Sequence, residues 1–314
     1  MRTRQWILII LAATISALLI RMFVFETIKV ASSSMSKTFL KGDLLIVEKL
    51  TMGPRLPMSV GLPFFPDSIL GQPTFVSFTN RATRLARKTN INRNDLIAYN
   101  QPFPCQIYSR NPILLSRCVG LPGESLVLSN EEVRINGTKI DRPTEAANCF
   151  GFSKGDLTVA RRLLKSQNIN NEIYQSQDSC YVYLTRLEWY KLSKQKELKN
   201  IRIEHRMPYN GFNVKIPKRG YEIPLNDSTM SLYGAIIRDF EKVEIKKDTS
   251  NNFLKNNHKS NKYVFQMNYY FMLNDHQGYT NDSRSFGLIP EQLFIGKVGL
   301  LMLSPSNKRF MLAL

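Results

Sequence analysis

Few cysteines, few histidines and a shortage of acidic charge limit what this 314-residue chain can be. Cys105, Cys118, Cys149 and Cys180 have spacings that match no zinc site, so no metal and no cofactor is expected. They are even in number, and an oxidising compartment would permit a disulfide, with Cys149 and Cys180 as a candidate pair. Of the three histidines, His205 and His258 lie in polar stretches that nothing ties to a site. No His/Asp or Cys/His grouping offers a hydrolytic centre, and no internal repeat is present. The acidic shortage leaves 43 Lys and Arg against 25 Asp and Glu, a formal net charge of +18. Such an excess raises nucleic acid as a partner, but the basic residues are scattered, with no aromatic stacking motif and no recognisable nucleic-acid module, so none is expected. Solubility and a basic exterior facing anionic lipid remain as uses for the charge.

The longest apolar run begins at Trp6 and carries no charge to Ile20; Arg21 then interrupts before Met22 to Phe25 resume it. Through Phe25 it reaches the roughly 20 residues that cross a hydrocarbon core. Arg2 and Arg4 precede it, which predicts a cytoplasmic N-terminus and translocation of everything after the run. Arg21 can snorkel toward the far interface. A cleaved secretory signal is the competing reading, since Val30-Ala31-Ser32 ends in small residues; the length of the run favours an anchor. The serines Ser32, Ser33 and Ser34 follow at once. At no more than ~3.3 Å per residue from Phe25, Ser34 lies within about 30 Å of the membrane. Taken alone, these serines read as a solvated linker.

Beyond the anchor the signals are mostly strand: 44–48, 95–99, 114–119, 125–128, 133–135 and 269–273 are short runs rich in β-branched, aromatic and aliphatic residues, with turns at Pro122-Gly123 and Asn136-Gly137. Residues 51–94 are Pro-rich and then basic, which predicts an extended loop or flap. The polar, Lys-rich stretch 157–200 predicts one or two helices, and the Asn/Lys/Ser-rich 246–262 a mobile loop.

Several blocks in fixed order carry a resemblance. After the anchor come Ser32-Ser33-Ser34-Met35, Gly42-Asp43, the run from Arg117 through Val119-Gly120-Leu121-Pro122-Gly123 to Glu124, the run Asn281 to Pro290, and Gly296-Lys297. Together they resemble the bacterial type I signal peptidases (leader peptidases), and Gly53 to Pro57, Ile216 to Gly220 and Tyr233 to Glu241 extend the likeness to the Bacteroidetes form. The resemblance implies a mainly β fold: a cytoplasmic tip and transmembrane helix at 1–25, then an antiparallel β-sheet catalytic body at 26–140 and 263–314, with a flap-like loop at 51–94 and an inserted α+β region at 141–262. It implies a single-pass protein of the bacterial inner membrane, with its body on the periplasmic side, cutting signal peptides from exported precursors after a small residue. Implied partners are those signal peptides, membrane lipid and a paralogous peptidase.

The resemblance also implies roles. Ser34 takes the nucleophile's place and Ser32 that of the serine whose hydroxyl helps form the oxyanion hole with the Ser34 N–H, donors that stabilise charge developing on the scissile carbonyl. Met35 follows as in the family, Asp282 and Arg284 match its supporting ion pair, Thr280 stands where a serine bonds the base, and Ser283 is retained. One position departs decisively: the lysine that serves as base in the family is Ser116 here. Serine is a poor nucleophile without a neighbouring base, and Arg117 stays protonated and points to the opposite face of its strand. The block Asn274 to Thr280 has drifted, keeping Asp275. His276, in that block, is the alternative base, since imidazole titrates near neutral pH; Lys37 is expected to be solvated. Three readings follow: a serine endopeptidase of signal peptidase type, a catalytically silent paralogue that binds signal peptides or a partner peptidase, and an exported β-rich binding protein whose first 32 residues are removed.

Overall fold

The computed structural model describes residues 3–56, 59–61, 68–69, 72–73, 75–77, 83–84, 90–103, 111–129, 132–197, 204–206, 211–248, 252–256, 258–305 and 309–313. The apolar run forms α1, Thr3–Phe23. Its Arg4–Phe23 stretch, 20 residues of mean hydropathy 2.3, buries nothing against the rest of the protein. At 1.5 Å per residue it is about 30 Å long, enough to cross a membrane, and a helix apolar on every side needs an apolar surrounding.

The remainder is mainly β and divides into two compact units, one built from 1–31, 40–115 and 291–314, the other from 32–39 and 116–290. In the first, Leu44–Glu48 pairs antiparallel with Phe25–Lys29 and with Phe294–Ser304, which also takes Leu96–Asn100 and Arg309–Ala313. Alternation turns Leu45 and Val47 into the core while Leu44, Ile46 and Glu48 stay partly exposed. Gly296 permits the close approach of two strands, because a Cβ there would lie 2.2 Å from the Glu48 carbonyl oxygen. Buried Asp43 accepts from the Leu40 N–H at 2.9 Å and the Ser304 hydroxyl at 2.6 Å. Within the Pro-rich stretch, Ser59–Gly61 pairs with Phe75–Ser77, and Ser68–Ile69 with Gln72–Pro73. Most of the rest of the expected flap, like Cys105, lies outside the described residues.

The strand Ile113–Gly120 begins in the first unit and ends in the second, where it pairs with Tyr269–Leu273. Ser125–Leu128, Val133–Ile135, Thr138–Ile140 and Phe212–Lys215 make a separate four-stranded sheet. Its hairpin turns at Asn136-Gly137 with φ of 50° and 81°, the left-handed pair that a two-residue turn of this hand requires.

Within the region expected as an insertion, Asn148–Ser153, Ser179–Leu184, Ile173–Gln175 and Glu204–Arg206 form an antiparallel sheet. Beside this sheet lie α2, Leu157–Ser166, and α3, Arg186–Ser193. Phe150, Phe152, Cys180, Val182 and Leu184 pack with Leu163, Leu164 and Leu192, and Trp189 stacks on Phe150 at 4.4 Å. The alternate positions Cys149, Tyr181 and Tyr183 form a second cluster. The register opposes Cys149 to Tyr183 and Phe152 to Cys180. Cys149 and Cys180 therefore lie on opposite faces of the sheet and do not form the candidate disulfide.

The expected loop at 246–262 is also corrected. Ile245–Lys247, Phe253–Lys255 and His258–Lys259 form a three-stranded antiparallel sheet. Asp248 organises its first turn, its carboxylate accepting from the Asn252 N–H at 2.8 Å while its own N–H bonds the Asn252 carbonyl at 2.9 Å.

Candidate active site

Ser34 lies on a 3₁₀ turn, Ser33–Met35, in the second unit. Ser32 is extended and caps it, its Oγ accepting the Ser34 N–H at 3.1 Å, as a serine does at a helix start. The winding continues, with Ser36 N–H on the Ser33 carbonyl at 3.0 Å and Thr38 N–H on the Met35 carbonyl at 2.8 Å. Three bonds hold this run against the segment after Tyr269–Leu273. The His276 N–H reaches the Ser34 carbonyl at 3.1 Å, the Asp275 N–H reaches Met35 Sδ at 3.3 Å, and the Thr38 hydroxyl reaches Asp275 Oδ2 at 2.6 Å. The two donors expected at an oxyanion are engaged with each other.

Beneath the turn two ion pairs fix the backbone. Arg117 grips Asp275 with two bonds, Nε to Oδ1 at 2.9 Å and an outer nitrogen to Oδ2 at 2.7 Å, a geometry that adds direction to charge. Asp282 caps the turn Ser283–Phe286 and pairs with Arg284 at 2.6 Å, both side chains almost wholly buried. Asp282 also accepts the Asn274 N–H at 2.8 Å, and Arg284 donates to the Gln277 and Tyr279 carbonyls. Ser283 accepts the Met272 N–H at 2.8 Å. Thr280 contributes its carbonyl to the Asp282 N–H at 2.7 Å; among the described residues its hydroxyl bonds no base.

The groups that could take a proton from Ser34 are each placed. Ser116 is fully buried and donates to Asn274 Oδ1 at 2.8 Å, while the Asn274 amide donates to the Tyr279 carbonyl at 2.9 Å. The His276 ring lies between Tyr183, 4.5 Å away, and Tyr279, 5.0 Å away. Its Nδ1 accepts the Gly278 N–H at 3.1 Å, which leaves the proton of the neutral ring on Nε2. Burial, then the charges of Lys37, Arg284 and Arg142, push its pKa down to about 4. Lys37 is not solvated as expected: its ammonium sits 2.7 Å from both Glu188 Oε1 and Asn171 Oδ1. Among the described residues no hydrogen bond reaches the Ser34 hydroxyl, and no group of His, Cys, Asp and Glu is arranged for a metal ion.

Sequence reasoning singled out Ser34, Ser32, Ser116, Met35, Asp282, Ser283 and Arg284 as candidates; Ser34, Met35 and Ser116 are hydrogen-bonded to the segment 272–284, which holds Asp282, Ser283 and Arg284 with His276 and Thr280, and Ser32 caps the Ser34 turn. It missed Asn274 as the partner of Ser116, the grip of Arg117 on Asp275, and Glu188. Strand parity at Ser116-Arg117 together with the surviving Asp275 was a signal for the second; nothing in the sequence pointed to the third.

The match to known families agrees with this arrangement. Residues 3–181 and 209–303 match the family model described as signal peptidase, peptidase S26. Signal peptidase I of Buchnera aphidicola subsp. Acyrthosiphon pisum (strain APS) is 23% identical over 279 residues, 89% of this chain and 68% of that protein. Signal peptidase I of Buchnera aphidicola subsp. Schizaphis graminum (strain Sg) is 22% identical over 293 residues, 92% of this chain and 72% of that protein. A solved signal peptidase I from Enterococcus faecalis V583 aligns over 67% of this chain and 97% of its own, at 15% identity and a TM-score of 0.27. With most of its length matched, this chain belongs to the peptidase S26 family of signal peptidases, which are serine hydrolases.

Proposed function

We propose that the protein is a single-pass signal peptidase I-type serine endopeptidase of the bacterial cytoplasmic membrane. On this reading its N-terminus is cytoplasmic and its body periplasmic, where it receives the signal peptides of exported precursors and cleaves after a small residue with Ser34. The observation that carries it is the fixing of the Ser34 turn to 274–276 by three bonds, with the Asp275–Arg117 and Asp282–Arg284 pairs beneath. Exposed Phe310, Met311 and Leu312, in the unit that contains α1, support a body resting on lipid. A second reading rests on the occupied bases. With Ser116 bonded to Asn274 and Lys37 to Glu188, the chain is a silent paralogue that binds signal peptides or a partner peptidase without turnover.

The test incubates full-length protein in lipid or detergent with a preprotein carrying an Ala-x-Ala site and follows it by mass spectrometry, with Ser34→Ala as control. Cleavage after the small residue, lost in the control, supports the endopeptidase. Precursor bound but intact supports the silent paralogue.

A further inference from the structure

We infer that Lys37 is the general base of Ser34 and that Glu188, in the first turn of α3, holds it off, so that the inserted region gates the site. This rests on Ser34 being the nucleophile. Bonds from residue i to i+3 close this run at Ser33–Ser36 and Met35–Thr38, while the Ser34 carbonyl takes the His276 N–H, and in a run so wound side chains three apart lie above one another. Ser34 and Lys37 therefore leave the same side of the turn, and an amine on a flexible four-carbon stem spans the roughly 5–6 Å between neighbouring Cβ positions. Arg117 stays charged, Ser116 is bonded to Asn274, and the His276 ring has its Nδ1 lone pair occupied. Lys37 is the amine that the chain itself carries next to Ser34.

Its present partners belong to a built site. The side chains of Lys37 and Glu188 are 19% and 20% exposed. Asn171 accepts from Lys37 and donates to Glu188 Oε2 at 3.2 Å and to the Tyr183 carbonyl at 2.9 Å. Glu188 is fixed in turn by the start of α3: it accepts the Thr185 N–H at 2.8 Å while its own N–H donates to the Thr185 hydroxyl at 3.2 Å, a reciprocal cap. Burial acts to raise the Glu188 carboxyl, but the bonds from Lys37, the Thr185 backbone and Asn171 outweigh it and hold it below its usual range. An ionised Glu188 holds the ammonium in this ion pair. The neutral His276 ring also feels the Lys37 charge.

Once released and deprotonated, Lys37 Nζ takes the Ser34 Oγ proton as Oγ bonds the scissile carbonyl carbon. The ammonium then protonates the leaving amine as the C–N bond breaks. Water attacks the resulting ester, giving one proton to Lys37, and Ser34 Oγ leaves with that proton returned.

The test compares cleavage of the Ala-x-Ala preprotein by the full-length protein, Glu188→Gln, Lys37→Arg and the double variant, in one detergent. Gln keeps the cap and removes the counter-charge, so turnover should rise about tenfold. Arg keeps the ion pair but cannot give up its proton, so Lys37→Arg should lose turnover in both backgrounds at an unchanged melting temperature. Wild-type cleavage that survives Lys37→Arg overturns Lys37 as base and leaves the Ser34 endopeptidase standing. A Glu188→Gln variant with no gain over an active wild type overturns the gate. No cleavage by any variant overturns both this inference and the endopeptidase reading.

Discussion

Ser34, Ser116 and His276 are three side chains of one site whose surroundings give them different roles. Replacing Ser34 with Ala removes the only described hydroxyl on the capped turn's central residue, and cleavage should fall by about 10³-fold or more, read by mass spectrometry of the precursor. Ser116→Lys forces a long amine into a fully buried position where the Asn274 amide already lies. Overpacking of that kind costs roughly 1–3 kcal/mol. The single variant should unfold at lower temperature with little gain in turnover. Adding Asn274→Gly, which removes the amide from that space, should recover stability and raise turnover; a single variant as stable as the parent and more active would show that Asn274 is no obstacle. For His276 the sign follows from burial. Its pKa is 6.5 when solvated and about 4 here, so the unfolded chain binds the proton more readily. The stability that the neutral ring contributes is complete above about pH 6.5 and is lost as pH falls toward about 4, by about 3 kcal/mol. Urea unfolding of wild type against His276→Gln between pH 7 and pH 4 should show the difference shrinking by that amount.

Among the elements, α3 matters beyond its own length. Its start is defined by Thr185 and Glu188, and the same carboxylate reaches Lys37. Thr185→Ala should therefore cost about 1 kcal/mol as a lost cap and loosen the Lys37 contact, seen as faster amide exchange at both Glu188 and Lys37. Leu184→Ala empties part of the cluster formed with Leu163, Leu164 and Leu192, and should cost roughly 2–5 kcal/mol in denaturant unfolding. The sequence predicted one or two helices over 157–200, and α2 and α3 lie there. It did not predict Asn148–Ser153 or Ser179–Leu184: the first has only Phe150 and Phe152 as large apolar side chains, and the second carries aromatic residues on one face and aliphatic ones on the other, so it shows no polar alternation.

For the molecule as a whole, the charge of +18 and the helix α1 make different demands on a membrane. Attachment through surface charge is screened at high salt, whereas a spanning apolar helix is held by the hydrophobic effect. Full-length protein should co-float with zwitterionic vesicles in 1 M salt (roughly a 3 Å screening length). Release into the soluble fraction under those conditions would overturn α1 as an anchor.

The sequence by itself determined α1, because an apolar run of that length has no polar face to present to water. It also determined Leu44–Glu48, Ser125–Leu128 and Tyr269–Leu273, whose composition favours strand, and the turn at Asn136-Gly137. The ordered blocks carried the family. Tertiary structure alone decided what surrounds Ser34. Lys37 meets Glu188 across 151 residues of chain, and Ser116 meets Asn274 across 158. Neither pair has a local pattern, because a contact between distant residues depends on which strands and helices pack together. Whether a lysine is solvated or paired, and whether a histidine is exposed or buried, follows from that packing rather than from the residues beside it in sequence.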